Sequence, residues 1–295
     1  MTAARLIDTF DAFETYWAKA QDLPADEQID LWATQYMSAW PELLAKQQCN
    51  YADMGLDWKE VAREHVFGRL GERLESMREA RRNLLRLGPS VWGSVRRKLG
   101  LDCPVVFVVY VGTGCGAGWV TDYGGTAAVL LGLENIAECG WSGERALTGL
   151  LAHELGHVAH YHWRRQAGVA NGKGPLWDVY DEGFAQYCEH HVAGEDTWHM
   201  NEGYNPPDWA AWCRENLSWL AGEFLRRLDD PEGIRAFFGS WFRIEGRTQC
   251  GYFLGHELIA EMAARMPVRQ IALLETAEAE RRIRTGLERL AGMGT

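Results

Sequence analysis

Residues 150–159, Leu150-Leu151-Ala152-His153-Glu154-Leu155-Gly156-His157-Val158-Ala159, contain a His-Glu-x-x-His pattern on a segment that reads as helix. No other stretch constrains the fold so tightly. Residues four apart share one helical face, so His153 and His157 can aim two imidazoles at a single ion. Glu154 sits one step round, near enough to reach a water on that ion without being a ligand. Imidazole ligands, a neighbouring carboxylate and coordination positions still to fill suit Zn2+. The flanking residues are uncharged, as a helix buried beside a metal requires. Leu147, Leu151, Leu155 and Val158 form a separate apolar stripe to anchor it.

Two histidines need a third protein ligand. One arrangement places glycine three residues and histidine six residues after the second histidine. Here those positions hold His160 and Trp163, which excludes it. A carboxylate on a following helix is the main alternative. The segment Pro175 to Tyr187 reads as such a helix and offers Glu182, 25 residues beyond His157. Asp178 and Asp181 compete for the same role. Glu182 is followed by Gly183 and Ala185, small residues that would let this helix approach the zinc helix. Gln186 and Glu189 lie on its face and could support the ligands. His160 shares the face of His153 and His157, but three ligands from one straight helix converge poorly on a tetrahedral ion. It is expected in a supporting or surface role. His162, His190, His191 and His199 are expected to be exposed or at helix ends.

His153-Glu154-Leu155-Gly156-His157 together with Glu182-Gly183-Phe184-Ala185-Gln186-Tyr187 resembles the paired motifs of gluzincin-type zinc metallopeptidases, and is most similar to an uncharacterised family of predicted Zn-dependent proteases. The likeness covers about residues 100 to 265, including a weaker match at Gly251-Tyr252-Phe253-Leu254-Gly255-His256. It implies a zincin-like core and peptide-bond hydrolysis, with His153, His157 and Glu182 on Zn2+ and Glu154 as general base. Tyr252 is the candidate oxyanion donor, with His256 one turn on in reserve; helix packing is the competing role for Tyr252. An edge strand commonly aligns the substrate backbone in this fold type, and Ala127–Leu131 is the candidate. Thermolysin-like enzymes carry aspartate four residues after the ligand glutamate. Gln186 stands there, which argues against close kinship with them. Two other readings stand beside this one: a regulatory protease with one protein substrate, and a non-catalytic zinc-containing binding or scaffold protein.

The net charge of −11 argues against a general nucleic-acid or anionic-membrane binder. The basic run from Arg78 to Lys98 reads as a solvated helix face. The partner expected is therefore a peptide or protein substrate, with no nucleic acid and no membrane. Arg5 and Asp8 precede any apolar run, so no export leader is expected. The seven cysteines contain no C-x-x-C pair and read as reduced thiols, which points to the cytoplasm. Most of the 14 tryptophans are expected in cores and subdomain contacts.

Along the chain, residues 4–99 read as helical throughout, with one helix from about Trp58 to Leu87 ending before Gly88-Pro89. Val105–Val111 is a strong β-former, with shorter strands at Gly118–Asp122 and Ala127–Leu133. Short turns suggest a small, mostly antiparallel sheet. Ser142 is a candidate N-cap for the zinc helix. The remainder is helical. The class expected is α+β, with a helical N-terminal subdomain (1–100) packed closely on a zincin-like metallopeptidase domain (101–295) that has a helical C-terminal region.

Overall fold

The computed structural model describes residues 4–53, 55–195, 197–239 and 241–293. The protein is a mostly helical α+β chain with a small four-stranded sheet. It divides into two compact units, Met1–Ser90 with Asp102–Leu147, and Val91–Leu101 with Thr148–Thr295.

In the first unit, β1 (Ala4–Asp8) leads into α1 (Phe10–Ala20), α2 (Ala25–Leu31), α3 (Pro41–Asp53), α4 (Trp58–His65) and α5 (Leu70–Leu99), whose last turns belong to the second unit. Then come β2 (Val105–Tyr110), β3 (Gly118–Tyr123), β4 (Thr126–Gly132) and α6 (Leu133–Cys139). The strand order is β1-β2-β4-β3; β1 and β4 run parallel to β2, and only β3 is antiparallel to its neighbour. The sheet is therefore mostly parallel, not mostly antiparallel. Loop length explains the difference. Gly124 and Gly125, at φ of 57° and 72°, make a two-residue hairpin between β3 and β4. The loop from 111 to 117 is long enough to carry β3 one strand position beyond β2, leaving a slot that β4 fills. Consequently β4 is paired on both sides. Ala127–Leu131 has no free edge to align a peptide, and β3 is the edge strand here.

β1 lay hidden in a segment read as helical, because Ala-Arg-Leu-Ile-Asp is too short and too charged to signal a strand. Its parallel pairing with β2 sets it in place, and Thr9 continues the pairing through its backbone N–H to Val109 O at 3.0 Å. Beneath it Phe10, Phe13, Tyr16 and Tyr36 form an aromatic core. α5 runs through Gly88-Pro89 instead of ending there. Glycine before the proline has no Cβ to clash with the ring, so the helix tolerates the lost hydrogen bond. Three arginines of the basic run on α5 are ion-paired: Arg78 with Glu14 and Glu75, Arg81 with Asp8 and Asp11, Arg86 with Glu144. Ser142 does not cap the helix that carries His153 and His157. Its hydroxyl donates to Glu79, and the first carbonyl acceptor of that helix is Gly143.

The second unit holds most of α7 (Glu144–Ala167), then α8 (Pro175–Ala193), α9 (Trp209–Glu215), α10 (Leu217–Arg226), α11 (Pro231–Arg235), α12 (Cys250–Ala263), α13 (Val268–Ala272) and α14 (Thr276–Leu290). Leu151, Leu155 and Val158 of the apolar stripe on α7 are buried, as is Leu147 just before the unit boundary. Arg164, also on α7, is wholly buried and has no carboxylate partner among the described residues. Its guanidinium instead donates to the carbonyls of Ala170, Ala272 and Leu274 and to the side chains of Asn171 and Thr276. Tyr180 on α8 donates to Ile271 O. All seven cysteines are free thiols. No helix among the described residues is long and apolar enough to cross a membrane.

Glycines set the spacing of α8. A Cβ on Gly156 of α7 would lie 2.8 Å from Cys188 Cβ and 3.0 Å from Ala185 Cα, so α7 and α8 meet there. Ala185 thus serves the approach expected of it. Gly183 does not, since it faces α12, where Gly183 and Gly255 touch backbone to backbone and a Cβ on either would overlap the other. Gly255→Ala is expected to cost about 3 kcal/mol, the upper end for overpacking, because backbone rather than a flexible side chain stands in the way. Gly222→Ala, whose new Cβ would meet only Ala291 Cβ at 3.8 Å, should be neutral or slightly stabilising. Urea unfolding of the two variants checks this; equal midpoints would mean the α8–α12 contact is soft.

Candidate metal centre

α7 and α8 bring the sequence-derived residues together. His153 Nε2 lies 3.1 Å and His157 Nε2 3.2 Å from the same oxygen, Oε2 of Glu182. The two imidazole centroids are 5.0 Å apart and nearly perpendicular, at 80°. His153, His157 and Glu182 each offer one ligand atom within 4.8 Å of the others. Both histidines are buried, whereas the Glu182 side chain keeps 24% of its surface, so the site opens on the carboxylate side.

The donors fit a small divalent ion. Ligands about 2.0–2.1 Å from a tetrahedral zinc are separated by edges of about 3.3 Å, close to the nitrogen–oxygen distances observed here. Electrostatics agrees. Burial opposes ionisation of Glu182, but the imidazoles of His157 and His153 outweigh it and hold the carboxyl down to about 2. Burial also opposes charge on His157, yet Asp181 and Glu182 more than offset it and push its pKa well above the ordinary value. The pocket favours positive charge between these carboxylates, which is the preference a bound cation satisfies.

The competing acids are placed elsewhere. Asp181 lies behind His157, its Oδ1 3.4 Å from Nδ1. The Asp178 carboxyl makes no hydrogen bond among the described residues; burial first, then repulsion from Glu182 and Asp181, raises its pKa to about 7. Glu182 is the acid that joins the two Nε2 atoms. His160 is fully buried and faces Asp181 at 2.7 Å, in a supporting position.

Glu154, next to His153 on α7, is only 5% exposed. No described group hydrogen-bonds its carboxylate. Burial raises its pKa, while the neighbouring imidazoles of His153 and His157 pull the other way. Tyr252, on α12, packs its ring 5.7 Å from that of His153. Burial pushes its hydroxyl well above the ordinary range, and the charges of Glu182 and Glu154 add to the shift. Tyr252 therefore keeps its proton at neutral pH. His256 turns away from the site: its ring lies 4.2 Å from that of His190 and 4.9 Å from that of Trp198, and Nδ1 bonds Glu257.

His199, expected to be exposed or at a helix end, does open a short helical turn but is buried there. It is 3% exposed, on a short turn after α8, with its ring 5.4 Å from that of His153. Glu189 clamps it, one oxygen accepting the His199 backbone N–H at 2.9 Å and the other 2.7 Å from its Nδ1. That second oxygen is 3.8 Å from His153 Nδ1. His153, Glu189 and His199 thus form a second close group. The 2.7 Å contact is a hydrogen bond, too short for the edge of a coordination tetrahedron. The signal for it lay in Gly149, seven residues before Gly156 on the same face of α7. A Cβ there would sit 2.5 Å from Glu189 Oε1 and 3.1 Å from His199 Cβ. Gln186, expected to support a ligand, is buried and its side-chain amide bonds no described group.

The two groups are separable by experiment. His157→Ala and Glu182→Ala are each expected to abolish uptake of one Zn2+ per chain. His199→Ala should leave that stoichiometry intact, as read by elemental analysis after dialysis. The reverse pattern would place the ion at Glu189.

No family model matches this chain, and no curated protein and no solved structure matches it either.

Proposed function

We propose that the protein is a zinc-dependent metallopeptidase of the gluzincin type, acting on a peptide or protein substrate. The observation that carries this reading is the convergence of His153, His157 and Glu182 beside Glu154, a largely buried carboxylate that no described group hydrogen-bonds. A structural zinc site uses its ligands and has no use for such a group. A carboxylate this far withdrawn from water is costly to keep, so a binding or scaffold role leaves it unexplained.

His153, His157 and Glu182 would hold the ion: two neutral imidazoles and one carboxylate leave the site a net positive charge. When bound, Zn2+ supplies Lewis acidity, making water more acidic and polarising a carbonyl. Glu154 accepts the proton of the attacking water and delivers it to the leaving amine; burial, which raises its pKa, makes it a stronger base. Tyr252 keeps its proton and donates a hydrogen bond to the oxyanion that develops on the scissile carbonyl. Its ring packs 5.7 Å from that of His153, which supports this role over packing in a separate core.

Glu154→Gln keeps shape but cannot take a proton. Peptide turnover is expected to vanish while zinc content stays at the wild-type level; parallel loss of zinc would make Glu154 a ligand or a structural prop instead.

Tyr252→Phe removes only a hydroxyl. A donor used in the transition state should lower kcat by roughly 10²-fold with KM and zinc content little changed. An unchanged kcat assigns Tyr252 to packing.

A further inference from the structure

We propose that the groove between α12 and α14 docks an extended, acidic-aliphatic segment of a partner polypeptide. The groove lies within the second unit and takes no residue from the candidate metal centre, so it stands whether or not the chain hydrolyses peptides. Its volume is about 400 Å3, within the roughly 300–1,000 Å3 of clefts that hold ligands. The floor is apolar. Leu258 and Met262 come from α12, and Met266 from the turn that continues it, its N–H reaching Met262 O at 3.0 Å. Spaced four residues apart, the three line one face. Leu258 is buried, and the methionines, whose side chains adapt to differently shaped partners, are half-buried. Gly286 on α14 gives the groove its depth: a Cβ there would come within 2.5 Å of Leu258 Cδ2.

The rim is cationic. Arg265, just past α12, and Arg281, Arg282 and Arg289 of α14 line the groove, against a single lining carboxylate, Glu261. Glu261 pairs with Arg289 and, at 3.6 Å, with Arg265. Glu278 pairs with Arg281 at 2.7 Å and Arg282 at 2.6 Å. Four guanidiniums thus share two carboxylates, which leaves a surplus of two positive charges here on a chain whose net charge is −11. Each guanidinium presents a planar fork of donors that fits a carboxylate. Spacing selects the occupant. Arg281 and Arg289 are eight residues apart, about 12 Å along the axis of α14. A lipid head group or a free phosphate is too small to reach both. An extended peptide rises about 3.3 Å per residue, so acids four positions apart span the same interval. Successive side chains of such a peptide point to opposite sides. In a chain lying between the two helices, the acids therefore meet α14 while the residues next to them face Leu258 and the methionines. The pattern that fits is acid, aliphatic, any residue, aliphatic, acid.

The test is fluorescence anisotropy of a labelled, end-capped Glu-Leu-Ser-Leu-Glu peptide titrated with the full chain at low ionic strength. Saturable binding is expected. The double variant Arg281→Gln/Arg289→Gln, which removes two exposed charges, should weaken it roughly tenfold. Met262→Ser should weaken it as well by wetting the floor. Arg226→Gln/Arg284→Gln takes the same charge from exposed positions outside the groove and should bind like the wild type. A Lys-Leu-Ser-Leu-Lys peptide should not bind. The proposal is overturned if the acidic peptide shows no saturation up to about 1 mM, if both double variants weaken it equally, or if the lysine peptide binds as well. Phosphatidylglycerol vesicles held through Arg281 and Arg289 in preference to the peptide would make the groove a membrane contact. A dimer that dissociates in Arg281→Gln/Arg289→Gln would give it to a second copy of the chain. Either result also overturns the proposal. None of these readouts involves zinc, so failure of the metal-centre reading leaves them unaffected.

Discussion

Buried negative charge governs the second unit. α8 carries Asp181, Glu182 and Glu189 on the sides that meet His153, His157, His160 and His199. A carboxylate withdrawn from water without compensation is expensive enough that it takes up a proton instead. Here Asp181, Glu182 and Glu189 each have a carboxyl held below the usual range in spite of burial, because imidazoles surround them. Asp178, one turn before Glu182, lacks such a partner and shifts the other way. The contrast along one helix shows what the histidines accomplish. They let three acids remain ionised in a low-dielectric setting, and the positive charge this demands is the charge a divalent ion supplies.

Such close pairing needs helices nearer together than side chains normally allow. Gly149 and Gly156 remove the obstacle from α7, and the Gly183–Gly255 contact removes it between α8 and α12. Glu182 lies next to one of these glycines, and Tyr252 lies one turn before the other. The acid that meets the histidines and the phenol that packs beside them therefore both flank this one backbone contact. Packing and chemistry share the same residues, so they cannot be altered independently.

The geometry of the centre was legible to the extent that it is local. His153, Glu154 and His157 follow from helical periodicity, and Glu182 from the need for a third donor. Glu189 was read as a supporting group, although the side chain it holds was not seen. His199 escaped because it sits on a short turn with no periodicity to report its burial. Asp181 was weighed as a ligand because sequence gives the spacing of two adjacent acids but not which side of an imidazole each one meets. The sheet was misread for a related reason. Hairpin length is a local property and the Gly124-Gly125 turn declared itself, whereas parallel pairing of β1 with β2 joins residues about a hundred positions apart, and nothing near either strand announces it.

The buried guanidinium of Arg164 has a consequence for how the chain matures. Three of its five acceptors, Ala272 O, Leu274 O and Thr276 Oγ1, come from a stretch more than a hundred residues downstream. A buried cation without acceptors is not a stable arrangement. During synthesis, then, the far end of α7 cannot settle until the segment before α14 has left the ribosome. The histidine helix is made near the middle of the chain but finished close to its end, and a growing polypeptide carries its four closely spaced imidazoles and acids for most of that time without their final frame.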